Sequence, residues 1–384
     1  MTRPDAGTAP LVLDLPRTLC APGAISALTA ELSALGVKRP LLVTDKGILA
    51  AGLVARVIEA YGDADAMTIF DDVTENPVFS DVDRGMALYA GHSCDGVVAL
   101  GGGSVIDTAK FIALLACNTG HVADYAGKPG TPHDASAPLL VVPTTAGTGS
   151  EASHSAAIHP DAVAPAAGMS SRHLIPRVAI LDPVLTMGLP ARLTAATGID
   201  ALSHCIEGYL SDKNQPLGKA IALDGIGRVA RSLRRAVADP QNCDARMEMM
   251  LAAYAGGVSI GMGLGPAHAV ALACSDQGFH HGVLSGIGLV ATLDATRAKT
   301  PGRVASVAEA FGLTPSASLA AAIASLMREL KLPATLAELG YAAGSVHALA
   351  DAAQRSHFNL FAPLKPTSDQ YAAMLAESLA VPVS

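Results

Sequence analysis

Four side chains in the second half of this chain have the types and spacing to hold a divalent cation: Asp200, His204, His268 and His281. Asp200 and His204 stand four apart in the stretch GIDALSHCIEG, residues 198–208. In a helix that spacing places both on one face. An isolated pair of this kind is equally well read as a local Asp–His hydrogen bond. His268 lies in the apolar run GPAHAVAL, residues 265–272, where a lone histidine is often a satisfied core residue. His280 and His281 are adjacent and read either as ligands or as surface. Taken together, one carboxylate and three imidazoles suit a borderline ion such as Fe²⁺ or Zn²⁺.

Two further stretches, both in the first half, have the composition of a nucleotide cradle. In LGGGSVIDTAK, residues 100–110, a buried-type strand runs into a glycine turn and then a helix. Gly101, Gly102 and Gly103 let the backbone approach an anion, and a helix start offers unpaired N–H groups. Ser104 is expected to cap that helix and to donate to a phosphate. The spacing is neither the dinucleotide fingerprint nor the P-loop, so a plain tight turn is the alternative. In PTTAGTGSE, residues 143–151, Thr144, Thr145 and Thr148 supply hydroxyls to a loop that again follows an apolar strand. Two such loops lie at the carboxyl edge of one parallel sheet, where open α/β folds bind ligands.

The elements that must position these groups fall into two textures. Apolar runs at 40–44, 66–70, 96–100, 138–142 and 178–181 read as strands, alternating with helical stretches at 23–35, 49–60 and 81–91. Beyond about Pro190, β-branched runs disappear and nine helical stretches follow between 193 and 380. The expected fold is an α/β dinucleotide-binding domain with a mostly parallel sheet, residues 1–188, and an all-α metal-binding domain, residues 189–384.

Bulk composition narrows the function classes. Half of the 384 residues are hydrophobic and 16% are charged, enough apolar material for buried cores. The net charge is −8, and only the short stretch 228–235 is densely basic, so no nucleic-acid footprint is expected. The six cysteines show no C-x-x-C pair and read as reduced thiols. No leader segment is evident at the start, and the apolar runs are broken short of a membrane span. A cytoplasmic enzyme is expected.

Taken in order, GGGSVIDTAK, PTTAGTGSE, GIDALSHCIEG and the histidine pair resemble the iron-containing (group III) alcohol dehydrogenase family over nearly the whole chain. The resemblance implies the two-domain, dehydroquinate synthase-like fold. It implies NAD, a divalent metal (Fe²⁺ ahead of Zn²⁺), a small primary alcohol or aldehyde as substrate, and a homodimer. It matches Gly101, Gly102, Gly103, Ser104 and Asp107 to the pyrophosphate loop and its helix. Thr144, Thr145 and Thr148 match the cofactor-lining loop. Asp45, after the first strand, matches the acid that favours NAD over NADP. Asp200, His204, His268 and His281 match the metal ligands.

This chain departs from the family pattern in four places, one of them the absence of a Lys ahead of the strand ending in Asp182-Pro183, where Arg172 stands as the nearby charge. Leu272 stands where a second histidine usually follows the third ligand. The interval from His268 to His281 is one residue short, with His280 as an alternative ligand. Ser285 replaces a preferred Asn. With Leu272 in place, another group must carry the proton, and His154 and His280 are the candidates. Two alternatives remain: a same-fold enzyme acting on a phosphorylated or phosphonate aldehyde or polyol, and a non-catalytic NAD-binding relative.

Overall fold

The computed structural model describes residues 12–63, 65–131 and 133–380. Most of the amino-terminal segment read for a leader therefore lies outside the described residues. In chain order the first half contains β1 (Arg17–Cys20), α1 (Leu28–Ala34), β2 (Pro40–Val43), α2 (Lys46–Ala50) and α3 (Leu53–Tyr61). Then come β3 (Thr68–Phe70), α4 (Phe79–Gly91), β4 (Gly96–Gly101), α5 (Gly103–Leu115), β5 (Leu139–Pro143), β6 (Ser155–Ile158), β7 (Ala167–Ser170) and β8 (Val178–Leu181).

Six strands make one sheet in the order β1-β8-β5-β4-β2-β3, with every pairing parallel. β2, β4, β5 and β8 are buried along their whole length, which is why they read as unbroken apolar runs rather than alternating ones. Alternate residues still face different layers. Leu41, Val43, Val97 and Ala99 join α4 and α5 on one face. Leu42, Val98 and Leu100 join α1 and α3 on the other. The strand order reverses between β2 and β4, so the loops after them diverge and leave a crevice at the carboxyl edge.

The second half holds only helices among its described elements: α6 (Ala191–Leu210), α7 (Pro216–Ala238), α8 (Cys243–Ile260), α9 (Pro266–Ala273) and α10 (His281–Lys299), then α11 (Pro301–Ala310), α12 (Leu319–Glu329), α13 (Leu336–Leu339), α14 (Val346–Arg355) and α15 (Ser368–Leu379). Every residue of α6 from Thr194 to Gly208 is buried. It is the central helix, packed against α7, α8 and α10. No described helix is long and apolar enough to cross a membrane.

The structure departs from the expected elements in ways that have local causes. β1 is an edge strand of four residues, partly exposed, with too few apolar positions to stand out. β6 and β7 form a separate antiparallel hairpin in which Ala, Gly and Ser outnumber Ile158 and Met169, a composition of little strand propensity. The helix expected over 49–60 is broken into α2 and α3 by a turn at Gly52.

Candidate active site

α6 carries two of the four candidate ligands and fixes their relation. Asp200 and His204 are buried, one turn apart on the same face. α9 brings His268 against them: the His204 and His268 rings stack with centroids 4.8 Å apart. α10 begins at His281, whose ring centroid lies 5.5 Å from that of His268 and whose Nε2 lies 3.8 Å from Asp200 Oδ1. One ligand atom from each of the four residues lies within 4.8 Å of the others. Gly282 makes this approach feasible. A Cβ there would stand 2.3 Å from the Ala196 carbonyl oxygen and 2.9 Å from Asp200 Cβ, so any larger residue would push α10 off α6. His281 is half exposed and leaves the cluster open on one side.

The electrostatics of the cluster favour a cation. Burial holds the His204 imidazole down to about 4, against the pull of Asp200, so the ring is neutral with a free lone pair. Burial alone would raise the Asp200 carboxyl, but the His204, His281, His268 and His280 imidazoles bring it below the ordinary carboxylate range. Two buried ring nitrogens, His204 Nδ1 and His268 Nε2, have no hydrogen-bond partner among the described residues. Buried polar atoms are seldom left unpaired, and two such nitrogens in one cluster fit coordination of a cation. The donor set of one carboxylate and three imidazoles fits a divalent ion.

Glu207 belongs to the same assembly, although it was not among the expected site residues. Its Oε2 accepts from His268 Nδ1 at 2.6 Å. A carboxylate only accepts, so Nδ1 carries the proton and Nε2 faces the cluster unprotonated. The same carboxylate accepts the N–H groups of Gly265, Ala267 and His268, at 2.9, 2.7 and 3.3 Å, and so caps α9. The signal was present in GIDALSHCIEG, where Glu207 follows His204 by three and Asp200 by seven, on one helical face. Ser285 also joins, its hydroxyl donating to Asp200 Oδ1 at 3.1 Å.

The two glycine loops sit side by side. Gly102 is the N-cap of α5, and Thr145 and Thr148 lie against Gly102 and Gly103. Thr144 donates its N–H to the Gly101 carbonyl at 3.0 Å, and its buried hydroxyl has no partner among the described residues. Gly149 adopts a left-handed φ of +65°, and a Cβ there would stand 2.3 Å from both Ala253 O and Gly257 N. Only glycine lets the second loop touch the α8 backbone, and this contact ties the loop to the helical half.

From the other side α5 braces the same loop. Lys110 Nζ, fully buried, donates to the Ser153 and Ser155 carbonyls at 2.8 and 2.7 Å. Asp107 accepts from the Ser150 hydroxyl and, at 2.9 Å, from Ala157 N–H.

The remaining expected residues are placed as follows. Asp45 stands at the carboxyl end of β2 and caps α2, accepting from Ile48 N–H at 2.9 Å. The expected capping role of Ser104 is corrected: the cap of α5 falls two residues earlier, at Gly102, and the Ser104 hydroxyl donates to the Glu75 carbonyl at 2.6 Å. His281, not its neighbour, enters the cluster; His280 caps α10, with Nδ1 accepting from Gly282 N–H at 3.1 Å. The short interval after His268 is absorbed by a turn over 275–278, so His281 still arrives. His154 stands apart from the four, against Gly261 beyond the end of α8.

Comparison with known proteins covers nearly the whole chain. Residues 16–183 match the family model described as iron-containing alcohol dehydrogenase, and residues 194–379 match that of the family's C-terminal part. The chain is 38% identical over 370 residues to a 4-hydroxybutyrate dehydrogenase of Cupriavidus necator, covering 93% of this chain and 96% of that protein. A crystal structure of 1,3-propanediol oxidoreductase superposes with a TM-score of 0.90 at 31% identity, covering 96% of this chain and all of that one. A sulfoacetaldehyde reductase from Bifidobacterium kashiwanohense, solved with NAD⁺, gives 0.90 at 28% identity, covering 97% and 99%. Two glycine loops on a parallel sheet and an Asp–His₃ cluster in a helical half thus have a common origin with those enzymes: the chain belongs to the iron-containing alcohol dehydrogenase family.

Proposed function

We propose that Asp200, His204, His268 and His281 hold one divalent ion, Fe²⁺ by preference, beside an NAD bound on the loops at 101–104 and 144–148. The chain is an NAD-dependent alcohol dehydrogenase exchanging a hydride between a small primary alcohol or aldehyde and NAD(H). The observation that carries the reading is the convergence of four ligand atoms within 4.8 Å on one helical framework. When bound, the ion polarises a hydroxyl or carbonyl oxygen, and the nicotinamide exchanges the hydride.

The residues of the chain supply the rest. Glu207 and Ser285 orient His268 and Asp200, so that the donor set is formed before anything binds. The α5 N-terminus and the small loop residues leave room and N–H groups for a pyrophosphate. The carboxylate of Asp45, at the end of β2, accepts ribose hydroxyls and disfavours a 2′-phosphate. Asp107 acts on cofactor binding through the loop it braces. His280 is exposed and has Nδ1 engaged, which leaves Nε2 to exchange a proton with water in the absence of a histidine at position 272. The convergent donor set speaks against a non-catalytic relative.

We place the domain boundary at 188/189, between the last sheet strand, ending at Leu181, and α6. A homodimer is carried over from the family resemblance. The buried free thiols Cys94, Cys205 and Cys274 support a reducing, cytoplasmic setting.

The test uses one metal-stripped preparation, reloaded in parallel with Fe²⁺ and Zn²⁺, assayed for NADH formation from 1-propanol and 1,3-propanediol. One ion per chain and metal-dependent NADH formation, both abolished by Asp200→Ala, are expected. NADH formation at full rate without metal would refute the assignment.

A further inference from the structure

One face of α5 grips the second glycine loop along its length. Gly103, Asp107 and Lys110 stand at i, i+4 and i+7 on that helix and so share a face. A Cβ on Gly103 would lie 2.6 Å from Thr148 Cγ2, so the helix start touches the loop directly. One turn on, Asp107 accepts from the Ser150 hydroxyl and from Ala157 N–H. Farther along, Lys110 Nζ donates to the Ser153 and Ser155 carbonyls at 2.8 and 2.7 Å. Lys110 is fully buried and makes no ion pair among the described residues. Burial brings its ammonium down to about 8, against the pull of Asp107 and Glu151, so it is charged at neutral pH.

The other side of the loop touches the helices that carry the candidate ligands. A Cβ on Gly147 would lie 2.6 Å from Thr197 Cβ, and Thr197 precedes Asp200 on α6 by less than one turn. Gly149 and Gly257 of α8 meet backbone to backbone. The adjacent Gly256 packs on His204, where a Cβ would lie 3.2 Å from His204 Cβ. The loop therefore fills the gap between the start of α5 and the helix faces that place Asp200 and His204. Its depth in that gap sets how far the one stands from the other. Burying an ammonium is costly, and an apolar side chain of similar volume would support the loop as well. A cation with two carbonyl acceptors does what apolar packing does not: it fixes the position and direction of the peptides at 153 and 155.

We propose that Lys110 is a positioning residue for hydride transfer: through the Ser153 and Ser155 carbonyls it holds the second loop at the depth that fixes the spacing between a bound dinucleotide and the Asp200–His204–His268–His281 cluster. The inference rests on the proposed dehydrogenase reading. Lys110 acts through the loop backbone, so its loss leaves the N–H groups at the α5 start and the four ligand side chains in place. Cofactor affinity should therefore change little. Rate is more sensitive, since misplacing the reacting groups by about 1 Å costs about 10²-fold.

The test is single-turnover hydride transfer from 1-propanol in the metal-loaded enzyme saturated with NAD, followed by stopped-flow absorbance of NADH. Lys110→Met keeps the length of the side chain and removes its donors. The rate constant is expected to fall about tenfold or more, while the NADH Kd of the metal-free protein, read by fluorescence, changes by less than about threefold. Loss of folded protein would lower the amplitude of the turnover and leave the rate constant alone. Lys110→Gln keeps two N–H donors and should restore part of the rate; it also stands in for the Met variant if that one does not fold. An unaltered rate constant, or NADH affinity falling as far as the rate, would overturn the positioning role. If the parent chain forms no NADH, the dehydrogenase reading fails, and the anchor is judged by hydrogen exchange in the metal-free protein without cofactor. Amides 147–157 should then exchange about tenfold faster or more in Lys110→Met, with those of α7 unchanged. Equal acceleration along the whole chain, or none, would refute the anchor as well.

Discussion

Glu207→Gln isolates the contribution of ligand orientation to the metal centre. The side chain keeps its size, but its single amide oxygen can accept either from Ala267 N–H, which meets Oε1, or from Gly265 and His268 N–H, which meet Oε2. What also changes is the partner of His268 Nδ1, now 2.6 Å from a carboxylate oxygen. If the amide NH₂ faces that nitrogen, Nδ1 must accept, the ring proton moves to Nε2, and the lone pair aimed at the cluster is lost. If the amide oxygen faces it, the tautomer survives but a neutral acceptor replaces a charged one and fewer capping bonds remain. Loss of a partner of this kind typically weakens metal affinity 10–100-fold, about 1.4–2.8 kcal/mol.

The assay is metal affinity of the stripped protein, by competition with a chromogenic chelator, alongside the denaturant midpoint of the same protein without metal. The metal-free variant should lose about 1–3 kcal/mol, the scale of a buried N–H left without its acceptor. The stabilisation conferred by excess metal should shrink by RT times the logarithm of the affinity ratio. Glu207→Ala serves as the contrast: it strands the α9 amides and should destabilise the metal-free protein by several kcal/mol. A Gln variant that binds metal as tightly as the parent chain would show that His268 needs no orienting partner.

Three further outcomes follow from the same geometry. Ser285→Ala removes the donor on Asp200 Oδ1 and should weaken metal binding several-fold by the same competition assay, with little effect on folding. Gly149→Ala forces a residue into left-handed backbone against α8, and should cost about 2–4 kcal/mol in chemical denaturation and weaken NAD binding measured by fluorescence. Burial pushes the Glu151 carboxyl up to about 7, above its unfolded value. The native state therefore binds more protons than the unfolded state between about pH 4.5 and 7, and this contribution to stability is lost as pH rises through that window. Glu151→Gln should flatten that part of the stability profile by about 1–3 kcal/mol; an unchanged slope would place the titration elsewhere.

The sequence carried the fold class and most of the candidate site because each rests on local regularity. Buried parallel strands such as 96–101 are continuous apolar runs, the i,i+4 pair Asp200–His204 shares a helix face by geometry alone, and glycine after a strand marks a turn that must approach something closely. The register of these features along the chain also carried the family resemblance. The hairpin β6–β7 stayed illegible because its residues are mostly small, and the edge strand β1 because it is short, partly exposed and held by pairing with the distant β8.

What only the tertiary structure decided is which side chains meet across elements. Nothing in residues 265–281 tells whether His280 or His281 turns towards Asp200; the packing of Gly282 on Ala196 and the cap that His280 makes on α10 select His281. Nor can the string of residues show that Glu207 faces the start of α9, that Lys110 is spent on the second loop, or that His154 and Lys213 share Gly261. Helical and strand periodicity specify a direction around one element's axis. The distance and angle between two elements come from side-chain volumes at their interface, which no spacing along the chain records.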